Sequence, residues 1–145
     1  MPGAYNRVML SYLARSIGTS RMQVNVVDVD TRELISAWLL FTTAAAPAVM
    51  RSYDVDVTTT RPTQKKIIFK NPWDMSRKFV LVSSNEEVMR PRVEMLEVGG
   101  QGSVYLKLWF NKGVLDAPPQ DVYLFLNDPS GRTEECFLFQ VFTTK

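Results

Sequence analysis

At 145 residues the chain is the size of about one domain and can bury a core without metal or disulfide staples. Apolar residues are 46% and charged residues 22%, and seventeen Lys+Arg against fifteen Asp+Glu leave a net charge of +2, too little for bulk attraction to nucleic acid. There is no histidine and one cysteine, Cys136, which excludes Ser-His and Cys-His nucleophile pairs, His or Cys-cluster metal sites and an internal disulfide, and fits a reducing compartment.

In chain order, Val8, Leu10 and Tyr12 alternate as a first strand, and Met22, Val24 and Val26 as a second. The turn Asp28–Arg32 leads into a long apolar strand that ends Phe41-Thr42-Thr43. Leu34 to Met50 carries no charge, but its seventeen residues hold Ser36, Thr42, Thr43 and Pro47, so a buried strand running into the linker Ala44–Pro47 is expected, not a membrane span. The chain reads as soluble. Further strands are expected over 65–70, stopped by Asn71-Pro72, and over 79–84. Residues 86–92 permit one helical turn, limited by Pro91. Gly99-Gly100-Gln101-Gly102 precedes the alternating strand 103–110, and Asp116-Ala117-Pro118-Pro119 follows it. The strand 122–127, the turn Asp128–Arg132 and the strand carrying Phe137, Phe139 and Val141 close the chain. Short strands at this spacing predict an all-β sandwich.

The end of the chain repeats its beginning. Asp128–Arg132 corresponds to Asp28–Arg32, Phe142-Thr143-Thr144 to Phe41-Thr42-Thr43, and Val104-Tyr105-Leu106 to Val8-Met9-Leu10. Residues 1–45 thus read as the last three strands of a preceding unit, and 48–145 as a complete second one. The apolar face of those three strands (Val8, Leu10, Tyr12, Met22, Val24, Val26, Trp38, Leu40) needs a cover to be stable in water, and pairing with a second copy is one way to supply it.

Order and spacing of several pieces carry a resemblance: Asn25–Asp30, Ser36-Ala37-Trp38-Leu39, Ile67–Trp73, Phe79–Asn85, Glu97-Val98-Gly99-Gly100 and Leu126-Asn127-Asp128. Together they resemble the major-sperm-protein-like, ciliary immunoglobulin-like domains, most closely those in the C-terminal part of the nephrocystin-4 family. The resemblance implies a non-catalytic scaffold at the cytoplasmic side of the ciliary transition zone or basal body. It also implies nephrocystin-1 and a relative of the RPGR-interacting protein as partners. A self-assembling, major-sperm-protein-like structural protein is the alternative. Members that tether proteins to the endoplasmic reticulum bind acidic, phenylalanine-containing peptides through lysines on the strand that begins at Phe79; Val80 and Val82 take those places here.

Candidate chemistry is sparse. The Gly99–Gly102 loop precedes a strand, whereas a phosphate cradle needs a helix N-terminus. Glu134 and Glu135 are adjacent and point to opposite faces of a strand, so they form no acid–base pair. Asp28 with Asp30, and Asp54 with Asp56, share faces but lack the six to eight oxygens of a calcium site. Cys136 reads as a small buried hydrophobe. No enzyme, cofactor, metal or nucleic acid is expected, nor membrane insertion. Two surfaces stand out as partner-binding candidates. Arg61 to Arg92 holds eight basic residues against three acids, with Lys65, Lys66, Arg77, Lys78, Arg90 and Arg92 as the candidates for meeting an acidic protein partner. If Val122, Leu124, Leu126, Phe137, Phe139 and Val141 face the core, then Tyr123, Phe125, Leu138 and Phe142 face outward together.

Overall fold

The computed structural model describes residues 7–12, 14 and 17–145. Ten strands and no helix form among them: β1 (Gly18–Val27), β2 (Leu34–Ala44), β3 (Arg51–Thr58), β4 (Thr63–Lys70), β5 (Arg77–Ser83), β6 (Met89–Pro91), β7 (Met95–Val98), β8 (Ser103–Phe110), β9 (Gln120–Asn127) and β10 (Thr133–Thr144). The chain divides into two compact units between Ala46 and Pro47.

In the first unit β1 and β2 form an antiparallel ribbon in which Met22 faces Leu40, Val24 faces Trp38 and Val26 faces Ser36. Directly opposed residues share a face, so Met22, Val24, Val26, Trp38 and Leu40 line one side. The strand expected at Val8–Tyr12 does not form among the described residues. Its alternation is real, but a strand needs a ladder; Tyr12 meets β1 through its side chain, the hydroxyl sharing a 2.8 Å hydrogen bond with Ser20 Oγ.

The second unit is a two-sheet sandwich, with β3-β10-β9-β5-β7 in one sheet and β4-β8-β6 in the other. Every pairing is antiparallel except β10 with β3, which is parallel and places Val141 beside Val55. Period-two patterning sends Val55, Val57, Phe79, Leu81, Val122, Leu124, Leu126, Phe137, Phe139 and Val141 into the core from the large sheet. Ile67, Phe69, Met89, Leu106, Leu108 and Phe110 enter from the small one. Phe69 meets Phe79 and Phe137 edge-on, at 5.2 and 6.4 Å between ring centres, so aromatic contacts tie the two sheets. The expected helical turn is present once: Asn85 O accepts from the N–H groups of Val88 and Met89 before β6 begins.

The repeated turns share a mechanism. Asp28 Oδ1 accepts from the N–H groups of Asp30 and Thr31; Asp128 Oδ1 accepts from those of Ser130 and Arg132 and from Ser130 Oγ. An aspartate that caps its own turn is the reason both hairpins start on this residue. These bonds hold both carboxyls below the ordinary carboxylate value, the Thr31 N–H acting most on Asp28 and the Ser130 hydroxyl most on Asp128.

Asn71 is fully buried at the crossover from β4. Its Nδ2 donates to the carbonyls of Met75, Val98 and Gly99 at 3.0, 3.0 and 3.1 Å, and its Oδ1 accepts from Trp73 N–H at 3.0 Å. The loop 71–76 is thereby sewn to the turn 98–102, where Gln101 Nε2 donates to Pro72 O at 2.8 Å. Gly100 lies against the Asp74 carbonyl with no room for a Cβ.

Candidate interaction surfaces

The outer side of the large sheet is built by the register. Leu138 sits directly opposite Tyr123, and Phe125 lies between Cys136 on one side and Val82 on the other. Tyr123 and Phe125 stack at 6.1 Å with an interplanar angle of 20°. Tyr123, Phe125, Leu138 and Phe142 are each half-buried. The first three are contiguous. Phe142 is set apart, because Gln140 intervenes, flanked by Asp121 and Asp54, and Phe142 itself lies beside Asp56.

Val80 and Val82 on β5 extend this apolar area by a third strand, with Met95 opposite Val80. The unbroken run Phe79-Val80-Leu81-Val82 was the available signal, because a strand apolar on both faces has something to meet on both. Cys136 also lies on this outward side, yet it is only 2% exposed. Burial pushes its thiol up to about 11, which makes it a poor nucleophile at neutral pH. Glu135 is raised as well, by burial first and by the charge of Glu134 second.

The basic residues do not form one strip. Lys65 turns toward the β3 edge, where its Nζ donates to Asp54 O at 2.9 Å and lies 5.8 Å from the Tyr53 ring centre. Arg77 stacks on Trp73 at 4.0 Å and approaches Glu134 at 3.5 Å. Lys78, on the same strand of the large sheet, faces Glu97 across the ladder. Of the six candidates, Lys66, Arg90 and Arg92 belong together, on the outer side of the small sheet, because residues adjacent on a strand point to opposite faces. Among the described residues no group of three His, Cys, Asp or Glu is placed to hold a metal ion.

A helix-free, two-sheet sandwich whose loops are sewn by buried Asn71 is an immunoglobulin-like domain. Two family models match the chain, "NPH4 Ig-like domain 3" over residues 1–45 and "NPH4 Ig-like domain 4" over residues 50–144. The chain belongs to the nephrocystin-4 immunoglobulin-like domain family. It is 27% identical to human nephrocystin-4 over 131 residues, 86% of the chain and 9% of that protein. It is 22% identical to Xenopus laevis nephrocystin-4 over 147 aligned residues, 97% of the chain and 10% of that protein. The chain therefore spans about a tenth of these relatives' length. Among solved structures it is similar to WR4, a C. elegans MSP family member (TM-score 0.47, 14% identity, covering 63% of this chain and 92% of that one). SSP-19, an MSP-domain protein like family member in Caenorhabditis elegans, is similar at TM-score 0.45 and 12% identity, covering 63% and 94%.

Proposed function

We propose that the chain is a non-catalytic protein–protein interaction module of a ciliary transition-zone scaffold, acting through the outer face of its large sheet. One observation carries this reading: Tyr123, Phe125, Leu138 and Val82 form a contiguous apolar area on the side of the sheet that does not fill the core. Asp54, Gln140 and Asp121 border it, and an apolar centre with a polar rim is the anatomy of an interface. Family membership supports the scaffold setting at the cytoplasmic side of the transition zone, with nephrocystin-1 and a relative of the RPGR-interacting protein as partners.

In this reading residues 48–145 are a complete immunoglobulin-like domain and residues 1–45 the end of a preceding one. The ribbon face carrying Met22, Val24, Val26, Trp38 and Leu40 supports a second contact, pairing with another copy of the chain. Sedimentation at micromolar concentration tests that pairing, and a monomer at all concentrations rejects it.

The partner face is tested by Tyr123→Ser together with Phe125→Ser. Aromatic anchors at an interface each cost about 2 kcal/mol or more when truncated, so capture of purified nephrocystin-1 falls by more than tenfold. Capture by the folded double variant at the wild-type level overturns the reading.

A further inference from the structure

The small sheet has an outer face that the function above does not use. Its outward positions are Gln64, Lys66, Ile68 and Lys70 on β4, and Ser103, Tyr105, Lys107 and Trp109 on β8. Arg90 on β6 and Arg92 just beyond it complete the face. Five of these ten residues are cations and none is acidic; Glu86 and Glu87 lie outside the face, beside Arg90. Lys66 sits directly opposite Lys107, and Arg92 N–H donates to Lys107 O at 2.9 Å, so three cations share one row across the sheet. Like charges opposed on a ladder destabilise it. Among the described residues none of the five joins an ion pair.

Between the cations stand exposed apolar side chains: Tyr105 is 61% exposed, Ile68 56% and Trp109 44%. Trp109 lies between Gln64 and Arg90 and, with Pro91, Arg92 and Leu108, bounds an open groove of about 570 Å³.

We propose that this face docks the domain on an anionic bilayer surface, with Arg90 and Arg92 receiving a lipid phosphate beside Trp109 and with Lys66, Lys70 and Lys107 facing neighbouring headgroups. Clusters of four to eight Lys or Arg attract anionic lipid. Trp and Tyr rings settle at headgroup depth, with an apolar body and a polar tip. Guanidinium groups pair bidentately with phosphate. The cations spread over three strands, an area of roughly 10 by 25 Å, which matches a planar array of headgroups and not the single line of a bound peptide. Tyr105 and Trp109 are four residues apart on one strand, roughly 13 Å, too far to stack successive bases of a single nucleic-acid strand, which repeat at about 3.4 Å. The contact is peripheral; no segment enters the hydrocarbon.

The test is co-sedimentation of the full chain with phosphatidylcholine vesicles holding about 30% phosphatidylserine, and with vesicles of phosphatidylcholine alone, at about 0.1 M salt. Binding is expected only to the anionic vesicles, with a blue shift of tryptophan emission that Trp109→Phe removes. It should be lost at about 0.5 M salt, where the Debye length contracts. Lys66→Gln, Lys107→Gln and Arg92→Gln together should lower the partition coefficient more than tenfold, while Lys78→Gln on the other sheet leaves it unchanged. All three substituted side chains are at the surface, and an unchanged melting curve shows that the variant folds. Equal binding to both vesicles, no binding at low salt, or a triple variant that sediments like the wild type overturns the proposal. So does binding confined to a single-stranded oligonucleotide or a polyglutamate peptide.

Discussion

Asn71→Leu replaces a buried amide by an apolar side chain with the same branched outline of four heavy atoms, and its cost can be worked from the bonds it breaks. The substitution removes the bonds from Asn71 to the Trp73 N–H and to the carbonyls of Met75, Val98 and Gly99, but leaves Gly99 O on the Gly102 N–H at 2.9 Å and the Asn71 backbone N–H on Gly102 O at 2.8 Å. The bond to Val98 O is buried and closed to replacement by water, so its loss costs about 1.5 kcal/mol. The other three bonds are part-buried and open to replacement by water, costing about 0.5 kcal/mol each. A total of about 3 kcal/mol lowers the melting temperature of a unit this size by roughly 12–24 °C. Asn71→Asp separates hydrogen bonding from packing. Its carboxylate would face three carbonyl oxygens, so its folded pKa is raised above the ordinary value. The stability of that variant is then greatest below about pH 4 and is lost as pH rises through the folded value. Urea unfolding followed by tryptophan emission and far-ultraviolet dichroism, at about pH 7 and about pH 4, reads both variants. An Asn71→Leu protein within about 0.5 kcal/mol of the wild type would refute the reasoning.

Gly100→Ala drives a Cβ into the Asp74 carbonyl and should cost about 1–3 kcal/mol by urea unfolding, whereas Gly99→Ala, with open space at its Cβ, should be within about 0.5 kcal/mol of neutral. Cys136 should resist iodoacetamide at about pH 8 in the native chain and react readily in denaturant. Because its thiol ionises near 11 when folded and at 9.0 in the reference state, stability should fall as pH rises from the lower value toward the higher, and Cys136→Ala should remove that dependence. The Asp128 carboxyl, held down chiefly by the Ser130 hydroxyl, should titrate below the ordinary range by NMR and move upward in Ser130→Ala. Its contribution to stability is present above the ordinary carboxylate pKa and disappears as pH falls through the folded value.

By itself the sequence determined the strands over 65–70, 79–84, 103–110 and 122–127 and the one carrying Phe137, Phe139 and Val141, and for the last three which face fills the core, though it marked none over Arg51–Thr58, Met89–Pro91 or Met95–Val98. Val104, Leu106, Leu108 and Phe110 alternate with Tyr105, Lys107 and Trp109, and a pleated strand has no other way to arrange them. It also determined the turns, since Asp28 and Asp128 carry the acceptor that closes each hairpin. Tertiary structure alone decided which outward residues become neighbours, because cross-strand pairing joins positions with no fixed spacing in the chain. Lys66 meets Lys107 and Arg90 meets Trp109 through β8, while Lys65, next in sequence to Lys66, belongs to the other side of its sheet. Val82 joins Phe125 for the same reason, and Phe142 is parted from Leu138 by a row of Asp121, Gln140 and Asp54 that the parallel β3–β10 pairing completes. The segment at Val8–Tyr12 has the right alternation and forms no strand, because a strand exists only where another backbone offers it a ladder.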